Sequence, residues 1–251
     1  MSGISFRGLD PHDRYRLLCG VVVPRPIALV TTLDENGTVN AAPFSFFNVF
    51  SEDPPLVVLG LQHKADRSPK DTTRNIHRNG QFVIHMVDEA LAAAMNDCAV
   101  DFPSGDSEVE ATGLPTLPSI DIAVPRLAAA PFALECRQHV SLAFGPGREL
   151  LVGEVLRLHA REGLIDKARM HVDFAEFRSR YQAEPGRRGP GPRPPTKEQI
   201  AAVDAYRKNG DFEALKKALG TKHSQVAHAI IGRVISFENN QKMLARAARR
   251  S

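Results

Sequence analysis

The chain has 251 residues, enough for one domain of about 150 to 200 residues with an appendage or for two small domains, and too few for a large multidomain assembly. Apolar residues make up 43% of it and charged residues 24%, close to the globular average, which excludes disorder throughout. No run reaches the roughly 20 apolar residues that span a bilayer. The first ten residues also lack the basic and apolar segments of a signal peptide, so we expect a cytoplasmic protein.

The net charge of +3 is unevenly distributed along the chain. Residues 1–177 carry 16 Lys and Arg against 23 Asp and Glu, a balance of −7, whereas residues 178–251 carry 16 basic and 6 acidic residues, a balance of +10. A basic second part favours an anionic partner. The three cysteines, Cys19, Cys98 and Cys136, lie far apart without metal-ligand spacing, so neither a disulfide scaffold nor a metal site is predicted.

The N-terminal part has the pattern of antiparallel β-structure. Residues 27–33 form a β-branched run, the Asn36-Gly37 pair favours a tight turn, and residues 38–42 complete a predicted hairpin. Further strands are predicted at residues 56–61, 81–87, 132–144 and 149–159, and short helices at 71–79 and 89–97. Recurring strands with short turns favour a closed or partly closed barrel over a parallel sheet.

The composition changes near residue 184. Residues 185–195 are Pro, Gly and Arg only, which predicts an extended linker. After it, Thr196 favours a helix start, Gly210 and Gly220 favour helix ends, and a last helix is predicted at 223–248. We therefore predict a barrel domain at 1–180, a linker at 181–195 and a basic helical extension at 196–251.

Two segments suit a flat ring. In residues 23–32, two prolines flank Arg25 just before a predicted strand and leave backbone groups unpaired. These groups either contact a ligand or mark an ordinary strand start at a sheet edge. In residues 40–48, small residues and a proline adjoin three aromatic side chains. That composition lets a ring approach the backbone closely and offers amide and hydroxyl donors, unless it is simply a core aromatic cluster with a proline turn.

A third segment, residues 67–75, brings cations and hydroxyl groups to the start of the helix predicted at 71–79. The first turn of a helix presents free amide protons and a partial positive charge, which suits a phosphate group. A solvated helix start uses similar residues and is the alternative. A flat polar ring and a phosphate, bound by neighbouring segments of a small barrel, together describe FMN.

Four motifs occur in order along the chain: Pro24-Arg25-Pro26-Ile27-Ala28, Asn40-x-Ala42-Pro43-Phe44-Ser45, Ser51-x-Asp53-Pro54-Pro55 and Lys70-Asp71-Thr72-x-x-Asn75-Ile76. With Leu134-Glu135-Cys136 and the strand-like residues 151–155, this order resembles the flavin reductase-like and flavoredoxin group of FMN-binding split-barrel proteins over roughly residues 10–165. The resemblance implies a mainly β fold: a six-stranded antiparallel Greek-key split β-barrel with short helices, followed here by an α-helical extension. It also implies a homodimer with FMN near the dimer interface.

The same resemblance implies the cofactor contacts. Segments 24–29 and 40–47 would line the isoalloxazine and ribityl chain, mostly through backbone groups, while Arg67, Lys70 and Thr72 bind the phosphate and Asn75 supports that turn. The implied cofactor-binding residues are Pro24, Arg25, Pro26, Ile27, Ala28, Leu29, Asn40, Ala41, Ala42, Pro43, Phe44, Ser45, Phe46, Phe47, Arg67, Lys70, Thr72 and Asn75. No catalytic side chain is implied, because the flavin performs the redox step.

The implied activity is that of an FMN-dependent oxidoreductase, a flavin reductase that takes electrons from a reduced nicotinamide or another donor. FAD is a further flavin substrate, and the expected partner that uses the reduced flavin is a monooxygenase or another redox protein. Some members of this family carry a Gly-Asp-His motif associated with nicotinamide binding. Residues 141–148 occupy the corresponding stretch of this chain and lack the motif, so the residues themselves do not predict NAD(P)H as the donor. His85, inside a strand, either faces the flavin or is a hydrogen-bonded core histidine, and we favour the second.

The basic C-terminal part leaves alternatives open. Leu215, Leu219 and Ile230 flank Gly220, an arrangement that resembles a helix-turn-helix with a DNA-binding helix from Thr221. A helical arm on the dimer, with a solvated basic face, is favoured over that interpretation, and a lid over the flavin is a third. The alternative function is a non-catalytic flavin-binding electron carrier or redox regulator whose basic helices contact nucleic acid or protein.

Overall fold

The computed structural model describes residues 3–100, 102–173 and 196–220, together with the helical residues 227, 230 and 234. The strands in chain order are β1 Ala28–Leu33, β2 Val39–Phe44, β3 Phe47–Glu52, β4 Pro55–Gln62, β5 Gln81–Met86, β6 Thr116–Leu117, β7 Arg126–Leu127, β8 Phe132–Ala143, β9 Arg148–Ala160, β10 Ile165–Asp166 and β11 His171–Val172. The helices are α1 Pro11–Val21, α2 Asp71–Asn79, α3 Glu89–Asp97, α4 Glu108–Thr112, α5 Lys197–Asn209 and α6 Phe212–Ala218.

Seven strands form one sheet in the order β2-β1-β5-β8-β9-β4-β3, and every neighbouring pair is antiparallel. Strands β2 and β4 also contact each other, so the sheet curls towards closure. The mainly β class is confirmed, with seven strands in the sheet rather than the predicted six. The additional strand is β3, which pairs with β4 although most of its side chains are exposed.

The predicted N-terminal hairpin is confirmed as β1 and β2. Their register pairs Leu33 with Val39, and the Asp34 carboxylate accepts hydrogen bonds from the amides of Asn36 and Thr38. Gly37 has a φ of 82°, the left-handed conformation that favours glycine at this turn.

The barrel interior is filled by apolar side chains from six strands and α2, including Ala28, Leu59, Ile76 and Phe82, all essentially without solvent exposure. Gly153 on β9 makes room for one of them, because a Cβ atom there would lie 2.4 Å from Cζ of Phe82. The large ring therefore spans the barrel only because this strand position has no side chain.

Helices α2 and α3 occupy the predicted ranges, whereas α1 and α4 were not predicted. Helix α2 ends at Gly80, whose φ is 69°, as the sequence indicated. Helix α1 begins after Asp10, whose carboxylate accepts from the amides of His12 and Asp13, and none of its residues is buried. Without a buried apolar stripe, a surface helix gives little periodic signal in the sequence.

The C-terminal helices begin and end where the sequence indicated. Thr196 and Gln199 form a reciprocal capping box at the start of α5, Gly210 ends that helix, and Asp211 caps α6. Val203 and Leu215 pack with residues 230 and 234 in a cluster drawn from this region alone. The predicted linker and most of the predicted last helix lie outside the described residues. Within the parts of the chain that are described, no helix is both long and apolar enough to cross a membrane.

Candidate functional site

The three segments singled out in the sequence meet in the fold through two buried side-chain hydrogen bonds. Nδ2 of Asn40 on β2 donates to Oγ1 of Thr72 on α2 at 2.9 Å. Nδ2 of Asn75, one turn along α2, donates to Oγ1 of Thr32 on β1 at 3.0 Å. All four residues are buried, so these bonds are shielded from water and fix the start of α2 against the edge of the sheet.

The start of α2 has the donors that a phosphate group requires. Its N-cap residue, Lys70, is extended, and its side chain does not cap the amides of the first turn. Thr72 accepts the bond from Asn40 and keeps its own hydroxyl proton to donate. Arg67 has a φ of 70° in the turn just before the helix, and both Arg67 and Lys70 have exposed side chains. The cations and the uncapped helix start thus fit an anionic group.

The first ring-lining segment offers mainly its backbone. Pro24 and Pro26 are exposed, whereas Ala28 and Leu29 are completely buried. The guanidinium of Arg25 turns towards α1, where Nη1 donates to the carbonyl oxygens of Cys19 and Val22 at 2.6 and 2.5 Å, as a cation at a helix C-terminus does.

The second segment crosses from β2 to β3. Residues 42–45 are half-buried at the end of β2, and Ala41 is fully buried. Phe47 packs into the barrel core, so its side chain follows the core-cluster alternative. Phe46 turns outwards and is 46% exposed. It lies against Gly60, where an added Cβ atom would be 2.9 Å from the Cβ atom of Phe46.

Exposed apolar residues continue outwards from Phe46. The ring of Tyr15 on α1 meets that of Phe46 edge to face, with centroids 6.1 Å apart, and Leu18 lies one turn further along α1. Strand β8 adds Val140 and Leu142, which are 40% and 47% exposed; Leu142 pairs with Leu150, which in turn pairs with Gly60 beside Phe46. We call Tyr15, Leu18, Phe46, Val140 and Leu142 the exposed apolar face. It borders the second ring-lining segment, so the candidate site is open on this side within one chain.

Glu108 on α4 was missed by the sequence analysis. Its Oε2 accepts a hydrogen bond from the amide of Ala41 at 2.9 Å, and the preceding Ser107 donates its hydroxyl to the carbonyl oxygen of Val39 at 2.6 Å. Burial raises the pKa of Glu108 to about 7, and the nearby carboxylates of Asp71 and Asp106 add to that rise. The Ser107-x-x-Glu110 pattern indicates a helix start, but it does not indicate that Glu108 turns towards β2.

His85 is a hydrogen-bonded core histidine, and this interpretation is confirmed. Its Nδ1 lies 2.8 Å from the carbonyl oxygen of Leu29, and its Nε2 accepts from the amide of Leu127 at 2.9 Å. Burial lowers its pKa to about 4, with a smaller contribution from the positive charge of Arg126. The neutral ring therefore holds β5, β1 and β7 together.

A small cavity of about 80 Å³ lies where β8 begins and β9 ends, lined by side chains that include Arg126, His159 and Arg161. None of the residues that the sequence assigned to a ligand lines it. The candidate site is therefore a surface formed by β1, β2 and α2 and not this cavity.

A family model described as a flavin reductase-like domain matches residues 21–181. The solved structure of 2-nitrobenzoate 2-nitroreductase NbaA from Pseudomonas fluorescens is 43% identical, with a TM-score of 0.64, over 69% of this chain and 83% of that one. Nitrilotriacetate monooxygenase component B from Bacillus cereus is 33% identical, with a TM-score of 0.68, over 75% of this chain and 97% of that one.

A more distant structure bears on the fold alone. A protein with a split-barrel domain from Shewanella frigidimarina NCIMB 400 is 18% identical, with a TM-score of 0.61, and the match covers 75% of this chain and 100% of that one. The curled antiparallel sheet is therefore a split barrel, as the sequence resemblance implied.

Proposed function

This chain belongs to the flavin reductase-like domain family and is a flavin reductase-like oxidoreductase, and we propose that it binds FMN and passes electrons from a reduced nicotinamide or another donor to flavin. The observation that carries the proposal is the pair of buried hydrogen bonds, Asn40 to Thr72 and Asn75 to Thr32. They unite the ring-lining and phosphate-binding segments, which lie apart in the sequence, into one surface.

The phosphate is assigned to the start of α2. Lys70 and Arg67 supply positive charge, and the uncapped amides of the first helical turn supply directed donors. Thr72 donates its remaining hydroxyl proton. Asn75 is buried beneath this turn and positions it through Thr32. This donor set recognises a phosphate monoester, so FMN is favoured over riboflavin.

The ring is assigned to the backbone of residues 24–29 and 40–47. Ile27 and Ala42, which adjoin the completely buried Ala28 and Ala41, are partly exposed, and half-buried Ser45 adds a hydroxyl donor. When bound, the isoalloxazine supplies the redox chemistry, and the protein contributes orientation, exclusion of water and hydrogen bonds. Phe46 and the prolines at 24 and 26 provide apolar contacts beside the ring.

The site is completed by a second copy of the chain. The exposed apolar face (Tyr15, Leu18, Phe46, Val140 and Leu142) borders the ring-lining segment, and α1 has no buried residue. Pairing of this face with its equivalent in another copy would bury it and shield the ring from solvent. A homodimer therefore explains both the open side of the site and the exposure of these side chains.

The physiological partner is proposed to be a monooxygenase that consumes the reduced flavin. One relative is named as a component of nitrilotriacetate monooxygenase. Transfer of reduced flavin to another enzyme needs only the flavin site itself.

Steady-state kinetics test this function. Oxidation of NADH and NADPH is measured with FMN or FAD as acceptor, and a screen of other donors follows. Turnover that depends on added flavin supports a reductase. Tightly bound FMN with no turnover for any donor would instead favour the electron carrier or regulator, and the absence of flavin binding would refute the proposal as a whole.

A further inference from the structure

Strand β2 ends the main sheet, and α4 takes the place of the missing neighbour. Along an antiparallel pair, residues direct their backbone groups alternately towards and away from the neighbouring strand. In the register of β1 and β2, Asn40 lies opposite Thr32, and its two neighbours, Val39 and Ala41, direct their backbone groups away from β1. Ser107 donates to the carbonyl oxygen of Val39, and Glu108 accepts from the amide of Ala41. Two consecutive side chains thus satisfy the outer edge of the strand as a further strand would.

The contact of Glu108 leads directly to the proposed phosphate site. Ala41, whose amide it accepts from, follows Asn40, and Asn40 donates to Thr72 in the first turn of α2. Ala41 is completely buried and Glu108 is 7% exposed, so the linkage lies inside the protein. A displacement of β2 at Ala41 would move the Asn40 amide away from Thr72.

The surroundings of Glu108 are predominantly acidic. Asp71 on α2 and Asp106 in the preceding loop both act on its carboxyl group, and Cys98 with Asp97 lies at the end of α3 beside it. Arg74 pairs with Asp71 on the exposed side of α2. A negative charge on Glu108 is therefore unfavourable here, both because it is buried and because of these carboxylates.

We propose that Glu108 is a positioning residue for the FMN site, whose carboxyl group fixes β2 and whose charge controls how tightly the phosphate of FMN is held. The inference rests on the proposed function and assigns its regulation to a residue outside the family motifs found in the sequence. Since the pKa of Glu108 is raised to about 7, its charge changes within the pH range of a living cell.

The sign of the effect follows from the charges. Below pH 7 the neutral carboxyl group still accepts from Ala41 through a lone pair, and Glu108 adds no further negative charge to those of Asp71 and Asp106. Above pH 7 the carboxylate adds to Asp71 and repels the phosphate. The raised pKa also means that the folded state favours the protonated form, so this group's contribution to stability is lost as pH rises through about 7.

The test is the dissociation constant of FMN and of riboflavin, measured by flavin fluorescence between pH 6 and 8.5. For the natural protein, we expect the FMN constant to rise about five-fold across this range, at the low end of measured couplings between sites. Riboflavin lacks the phosphate, and its constant should stay nearly unchanged. Glu108→Gln keeps an oxygen acceptor for Ala41 without the charge, so FMN binding should stay tight and lack the loss of affinity centred near pH 7.

Glu108→Ala removes the acceptor and should weaken both flavins at every pH. Glu110→Gln, two residues further along the same helix at an exposed position, is the matched control and should keep the natural pH profile. A natural profile in Glu108→Gln would overturn the charge effect. Natural FMN affinity in a folded Glu108→Ala variant would overturn the positioning role.

A measurement without flavin separates this inference from the proposed function. The amide resonance of Ala41, followed by NMR, should shift with a midpoint near pH 7 in the natural protein and show no such shift in Glu108→Gln. If the protein binds no flavin at any pH, the proposed function fails and so does the phosphate coupling. If flavin binds but the Ala41 resonance does not titrate, only the role of Glu108 is refuted.

Discussion

On its inner side, the candidate site rests on hydrogen bonds within one chain, from Asn40 to Thr72 and from Asn75 to Thr32. On its outer side, the same surface borders apolar side chains that stay largely exposed, such as Phe46 and Leu142. The inner side is polar, buried and already in place, whereas the outer side is apolar and exposed.

This difference separates two requirements for holding a cofactor. Recognition of the phosphate needs directed donors at fixed positions, which one chain supplies by burying the bonds that orient them. Shielding of an apolar ring needs only contact area, which a second copy of the chain can supply by symmetry. Substitutions on the outer side should therefore act through association, and substitutions on the inner side through affinity or stability.

The largest effect is expected from a charge on the outer side. Leu142→Lys places an ammonium group in the proposed dimer interface, and a buried unpaired charge should raise the dimer dissociation constant on the order of 100-fold or more. Light scattering across a concentration series measures this constant. Leu158→Lys is the matched control, since Leu158 is equally exposed but lies outside the exposed apolar face. Equal dimer stability in the two variants would contradict the assigned interface.

The second largest effect is expected on FMN affinity, through the contacts of its phosphate. Lys70→Ala removes a charged donor at the start of α2, and FMN affinity should fall roughly 10- to 100-fold, the usual cost of a hydrogen bond to a charged group. Fluorescence titration gives the constant. Lys167→Ala changes an exposed lysine in the turn between β10 and β11 and should leave it unaltered. An unchanged constant in Lys70→Ala would refute the phosphate assignment.

A smaller effect should follow from breaking the inner hydrogen bonds. Asn75→Ala and Thr32→Val each leave a buried polar atom without its partner and should lower the free energy of unfolding by about 1 to 3 kcal/mol. Chemical denaturation of the two single variants and the double variant measures the coupling. Strictly additive losses would mean that the two side chains do not support each other.

The smallest effect is expected from the C-terminal helices, whose apolar cluster includes no residue of the candidate site. Leu215→Asp disrupts the apolar cluster of the C-terminal helices, which contains residues of that region alone. Helical circular dichroism should decrease while FMN affinity stays within about two-fold of the natural value, as for sites without shared contacts. A large loss of affinity would instead support the interpretation of these helices as a lid over the flavin.

The sequence predicted those elements whose signals are local. The Asn36-Gly37 turn and the glycine after α2 both have the left-handed backbone that their residue type indicated. Strand β3 was missed because its side chains are mostly exposed, so it lacks the alternation of a half-buried strand. Helix α1 was missed for the related reason that none of its residues is buried.

The candidate site also has a part that local sequence signals predict and a part that they do not. Its ring-lining and phosphate-binding segments are continuous in sequence and could be recognised as motifs. The contacts that join them could not, because Thr32 lies 43 residues from Asn75 and Ala41 lies 67 residues from Glu108. Only the pairing of β1 with β2, and the packing of α2 and α4 against them, brings these partners together.

The central claim is that segments from β1, β2 and α2 form one site for FMN, with the phosphate at the start of α2. The most direct test compares the dissociation constants of FMN and riboflavin for the natural protein at pH 6.5, where Glu108 is largely protonated. Tight FMN binding, with riboflavin at least about ten-fold weaker, is the predicted result for a charged phosphate contact. Equal affinity for the two flavins, or no binding of FMN, would contradict it.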